Sequence, residues 1–349
     1  MLLDKEIDRD FQMMLLPLNI LEFLYCQPKF RITRTFITAN GIRETLLCTL
    51  GVLLMILSNL GYISVNSYIP GNGEVNDIIY VFLFTDATFY IVYCLLIYAM
   101  NIIQKDKNVQ LIIKMQNAYR ILHNKNGLKR FQKNNWIFVV GVFLFYFSYN
   151  LSYTVFNIYR VAHLLYNIVL FYFDVNIIVA IRIVKFLEYE LILWKKQLNE
   201  FLKTCSTTNH THLVKYLVDV SYEERLLLSA YSNIIGAFKL CRSVFGMSIL
   251  LLLVEGFGHP LIYIQFFIDI GKSHTENAQA ASFISLMVTF VWILKSVSLL
   301  CCLSVVCQRF YLAVADVEHA CAVVRCDEGC LGKSDNGPNN PSFELGIGK

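Results

Sequence analysis

Charge is scarce in this chain of 349 residues. Only 16% of them are Asp, Glu, Lys or Arg, where a soluble domain carries about 25%. No basic soluble domain exists to hold a nucleic acid, so that partner is excluded. Catalytic signatures are missing too: there is no GxSxG, no HExxH, no Walker loop and no paired intramembrane His/Asp set. That leaves no basis for an enzyme or for a cofactor. The eleven cysteines are scattered, several of them within apolar runs, and lack the paired CxxC spacing of a zinc site. His319, Cys321, Cys326 and Cys330 are therefore not read as a metal cluster. Asp4, Glu6, Asp8 and Asp10 precede any apolar run, the wrong order for a secretory signal.

What the chain has is hydrophobicity, at 56% of residues. Apolar runs of about twenty residues recur, the length needed to cross a hydrocarbon core of roughly 30 Å. The fold class expected is all-α, a polytopic membrane bundle of six transmembrane helices with long cytoplasmic helix extensions. The spans fall at about 46–63, 78–102, 136–155, 161–183, 244–267 and 281–306. Residues 1–45 form a cytoplasmic segment whose short apolar stretch 11–25, containing Pro17, suits an interfacial or re-entrant helix. Residues 185–240 form cytoplasmic helices, 307–325 an amphipathic helix, and 326–349 a disordered tail without an apolar run.

The orientation rests on one basic loop. Lys105, Lys107, Lys114, Arg120, Lys125, Lys129, Arg130 and Lys133 lie between spans 2 and 3, against the single acid Asp106. Loops rich in Lys and Arg stay in the cytoplasm. Lys29, Arg31, Arg34 and Arg43 before span 1 agree, and the three opposite loops hold only Arg160 and Lys272. Both termini are therefore expected inside, in a multi-pass membrane protein. The sequons at Asn150 and Asn209 fall in a span and an inner loop and are expected to stay unmodified.

Within 185–240, Leu187, Leu191, Trp194, Leu198 and Phe201 recur at helical spacing between charged residues. Spans 4 and 5 are expected to continue past the membrane as amphipathic helices, packed either on each other or between subunits.

Ionisable groups at membrane depth mark a site or a wet cavity. Asp86 with Tyr90 in span 2, Asp174 in span 4, and Glu255 with His259 in span 5 meet this description. Lys295 and Trp292 lie past the middle of span 6. Tyr146, Tyr149 and Tyr153 share one face of span 3 beside Asn150, and His163 and Tyr166 lie in the outer half of span 4. The tyrosines, histidines, Asn150 and carboxylates, without Lys295 and Trp292, suggest an outer cup for a small amphipathic or basic organic ligand. The bland alternative is interhelical hydrogen bonding.

The stretches Asp8-Arg9-Asp10-Phe11, Leu16-Pro17-Leu18-Asn19 and Pro28-Lys29-Phe30-Arg31-Ile32 resemble the start of moth and butterfly gustatory receptors. Cys307-Gln308-Arg309-Phe310-Tyr311 resembles the segment leading to that family's last helix. The resemblance implies a ligand-gated cation channel of sensory neurons, a homo- or hetero-tetramer with related subunits, detecting small organic, bitter-type compounds. It also implies a seventh, pore-lining span with a Thr-Tyr…Gln-Phe signature. No such span follows Arg325, so this chain alone is expected not to conduct, its tail being a read-through or an alternative end. The alternatives are a non-conducting regulatory subunit and a six-span small-molecule transporter, for which no internal repeat is evident.

Overall fold

The computed structural model describes residues 6–33, 35–67, 73–156, 161–207, 213–271 and 276–331. Eight helices and one short hairpin make up these described residues. They are α1 (Arg9–Leu24), β1 (Arg31–Thr33), β2 (Phe36–Thr38), α2 (Ile42–Ser67), α3 (Gly73–Ile103), α4 (Lys105–Leu122), α5 (Lys125–Phe156), α6 (Val161–Thr207), α7 (Leu213–Gly271) and α8 (Glu276–Leu331). The strands pair antiparallel, Arg31 opposite Thr38.

Four helices contain stretches long and apolar enough to cross a membrane: Ile42–Ser64, Phe84–Ile103, Tyr222–Gly258 and Phe290–Cys321. They include most of the expected spans 1, 2, 5 and 6. The stretches 136–155 and 161–183 are helical but are not among the four, and part of each lies outside the described side chains. Within α6, Asp174 and Arg182 interrupt the apolar run.

The helix α6 is the hub, packing on α1, α2, α4, α5, α7 and α8. The long extensions expected of spans 4 and 5 are present, since α6 and α7 run unbroken to Thr207 and from Leu213. Their apolar stripes close on each other within one chain. Leu187, Leu191, Trp194, Leu227, Ala230 and Ile234 are buried in one core, and the Trp194 indole donates to the Leu227 carbonyl at 2.6 Å. After span 6, α8 continues as one helix through the expected amphipathic segment to Leu331. Residues 326–331, expected in the disordered tail, are thus helical, and 332–349 lie outside the described residues.

The basic stretch 105–133 is not a loop. Val109, Leu111, Ile112, Met115, Ala118, Tyr119 and Leu122 recur at helical spacing between its cations, and α4 buries them, chiefly against α7. His123 ends α4 in the left-handed region, with φ 46°, and its N–H bonds the Tyr119 carbonyl at 2.8 Å. Asn124 then caps α5, its Oδ1 accepting the Gly127 N–H at 2.9 Å. A Cβ at Gly127 would collide with the Tyr189 hydroxyl, which Asn124 Nδ2 bonds at 2.7 Å.

The N-terminal segment is bound into the bundle. Arg120 on α4 grips Asp8 through two bonds, Nε to Oδ2 at 3.0 Å and Nη2 to Oδ1 at 2.8 Å. Gln27 inserts beside α6. Its Nε2 donates to the Tyr172 carbonyl at 2.5 Å, and its Oε1 accepts from Asn176 at 2.6 Å. Lys29, one of the basic residues counted ahead of span 1, is buried. It donates to Asn101 at 3.1 Å and lies 4.9 Å from the Phe245 ring centroid. Burial pushes the Glu22 carboxyl up to about 7 and the Lys29 ammonium down, each offset in part by the other's charge.

Candidate functional site

Helix α6 brings Asp174 to the centre of the bundle, where it is 0% exposed. Two groups converge on its Oδ2. The Tyr146 hydroxyl of α5 donates at 2.5 Å, and the Lys295 ammonium of α8 donates at 2.8 Å. Lys295 also lies 3.1 Å from the centroid of the Trp292 ring, one turn earlier on α8. Tyr149 approaches the same indole at 6.2 Å, and Phe171 packs edge-on against Tyr146. The arrangement follows from solvation. A carboxylate and an ammonium removed from water are tolerated only when paired and further hydrogen-bonded, and an indole face supplies additional negative potential to the cation. The second oxygen, Oδ1, is buried without a hydrogen-bond partner among the described residues. Asp174 therefore retains an unused acceptor.

A second polar layer adjoins it through Phe173. Tyr90 stacks on Phe173 at 5.0 Å, and Tyr93 meets its edge at 4.1 Å. The Tyr90 hydroxyl points at Glu255 Oε1 across 3.4 Å, a long hydrogen bond. Asp86, one turn before Tyr90, is also buried. Glu255, Tyr90 and Asp86 thus come from α7 and α3, while Asp174, Tyr146 and Lys295 come from α6, α5 and α8.

Of the residues singled out in the sequence, the structure describes the side chains of Asp86, Tyr90, Tyr146, Tyr149, Asn150, Asp174 and Glu255. It joins Tyr146 to Asp174 and Tyr90 to Glu255. Asn150 bonds within its own helix, its Nδ2 donating to the Tyr146 carbonyl at 3.1 Å, which accounts for that donor without a ligand. The side chains of Tyr153, His163, Tyr166 and His259 lie outside the described residues. Lys295 belongs with the site although the cup as read from sequence did not include it. The signal was present, for Lys295 is the only charged residue between positions 281 and 306.

A cavity of about 920 Å³ opens between α5, α6 and α8. Tyr146 and Lys295 stand at one end, and Arg182, Lys185 and Arg309 at the other. It runs from the buried pair toward the end of the bundle that carries α4 and the helix extensions. The cup was expected on the opposite side, where the side chains of Tyr153, His163, Tyr166 and His259 lie outside the described residues. No group of three His, Cys, Asp or Glu side chains capable of holding a metal occurs among the described residues.

Comparison with protein-family models and with curated proteins returns no match.

Proposed function

We propose that the chain is a chemosensory membrane protein of the gustatory-receptor type, whose bundle binds a small organic, bitter-type compound. In this reading α5 and α6 also cross the plasma membrane, giving six spans with the N-terminus in the cytoplasm. The observation that carries it is the Asp174–Lys295–Tyr146 centre. Three helices commit a buried carboxylate, an ammonium and a phenol to one point, and a spare carboxylate oxygen and two aromatic rings surround it. A basic or hydroxylated ligand on the outer side would find an acceptor at Asp174 and apolar contact at Tyr149 and Trp292. Binding that draws Asp174 away from Lys295 would loosen α8 from α6, a local change of charge pairing with a path to the helix extensions. Channel opening would belong to a tetramer with related subunits.

Trp292 supplies the test. Purified chain is titrated with a panel of small bitter alkaloids and phenols while its emission is recorded. A saturable change that is lost in Trp292→Phe and weakened at least tenfold in Asp174→Asn supports the reading. Emission that follows no member of the panel, or a change that survives both substitutions, contradicts it. A six-span transporter would use the same buried pair, and uptake of the bound compound into vesicles containing this chain alone would select that alternative.

A further inference from the structure

The cavity between α5, α6 and α8 has walls of one kind and a mouth of another. Ile137 and Phe145 of α5 and Leu294 and Val305 of α8 line it, each at least 47% exposed, so it opens sideways along the bundle. No carboxylate is among its lining residues, whereas Arg182, Lys185 and Arg309 gather at one end. Lys185 is neutralised by Glu188 at 2.8 Å. Arg182 spends its Nε on the Asn135 amide oxygen at 2.7 Å and stacks on Phe131 and Phe138, without a carboxylate partner among the described residues. Arg309 is exposed and likewise has no carboxylate partner there.

Depth can be read along the helices. From Asp174 to Lys185 is eleven residues of α6, a rise of roughly 16 Å. Half of a hydrocarbon core is about 15 Å. With Asp174 near the midplane, as the six-span reading places it, Arg182 lies roughly 12 Å and Lys185 roughly 16 Å inward along α6 and Arg309 roughly 21 Å inward from Lys295 along α8, so the cations bracket the headgroup boundary and the apolar groove spans one leaflet. Hydrocarbon gains little by moving from bilayer to apolar groove, so the walls select only shape. Selection falls to the cations, which favour a negative headgroup.

We propose that this groove holds one anionic phospholipid of the inner leaflet. Its phosphate lies between Arg182 and Arg309, and one acyl chain runs along Leu294 and Phe145 toward Lys295. The lipid thereby braces α8 against α5 beside the buried pair. The proposal rests on the six-span reading for depth but not on any ligand in the outer cup, and its test is independent of chemosensing.

The full chain, purified in mild detergent, is incubated with phosphatidic acid, phosphatidylcholine or inorganic phosphate, and retained adducts are counted by native mass spectrometry. Phosphatidic acid is expected to be retained at least tenfold more than phosphatidylcholine. Each of Arg309→Gln and Arg182→Gln lowers that retention about fivefold, the worth of one interfacial cation. Leu294→Trp, which fills the groove, lowers it while leaving the arginines in place. Excess inorganic phosphate leaves it unchanged. Equal retention of the two lipids overturns the proposal, as does full retention by Arg309→Gln, a surface substitution that leaves the core intact. Displacement by inorganic phosphate overturns it too, by showing a phosphate site rather than a lipid site.

Discussion

Lys295 and Asp174 stand 121 positions apart in the chain and meet at 2.8 Å with side-chain exposures of 6% and 0%. This contact ties α8 to α6. Removing one partner strands the other charge in the bundle, at a cost of about 3–5 kcal/mol. Asp174→Asn or Lys295→Met alone is therefore expected to lower the thermal unfolding midpoint sharply. The double substitution is expected to recover most of the loss. Thermal melts of the four purified chains check this, and a strictly additive double variant would show that the two groups do not act as a pair.

The end of α1 carries a strained residue. The Gln27 N–H bonds the Glu22 carbonyl at 2.7 Å, and the Cys26 N–H bonds the Phe23 carbonyl at 3.0 Å. This is the Schellman pattern, whose left-handed position glycine favours. Cys26 occupies it with φ 54°. Cys26→Gly is expected to stabilise the chain by about 1 kcal/mol, the cost of a side chain in that region. The same Cβ crowds α2, since a methyl group on Gly51 would come within 2.5 Å of it. Gly51→Ala is therefore expected to destabilise the native chain and to be tolerated better in the Cys26→Gly background. Denaturation midpoints of the three variants measure both effects.

Glu190 lies on the extension of α6 and is 1% exposed, with Oε2 unbonded among the described residues. Burial pushes its carboxyl up from 4.5 to about 8. The folded chain therefore keeps a proton that the unfolded chain has released. Stability is fully present below pH 4.5 and falls as pH rises toward about 8. Glu190→Gln removes this slope and is expected to raise stability at pH 8 while changing little at pH 4. Unfolding midpoints across that range decide it; an unchanged slope in the variant would assign the pH dependence to other groups.

Much of this architecture is legible in the residues. The apolar runs in α2, α3, α7 and α8 announce themselves by length. The stripe from Leu187 to Phe201 foretells the extension of α6. Other features lie beneath a stronger signal of another kind. In 105–133 the cations carry the topology signal, and attention to them hides the equally regular apolar residues that make α4 a helix. Lys29 looks like one more loop cation, because its partner Asn101 is 72 positions away. Asp174 and Lys295 are each visible as costly charges in apolar runs. Their pairing depends on how α6 and α8 cross, which no local pattern encodes. The cavity likewise arises from the spacing of three helices, and it opens on the side opposite to the cup that the tyrosine face of α5 suggested.

Both the ligand site and the lipid groove depend on which way the bundle faces. An epitope fused ahead of Met1 tests this most directly, by antibody staining of cells before and after permeabilisation. With α4 and the helix extensions in the cytoplasm, intact cells stay dark and permeabilised cells stain. Staining of intact cells would turn the bundle over, putting the Arg182–Arg309 mouth outside and contradicting both assignments.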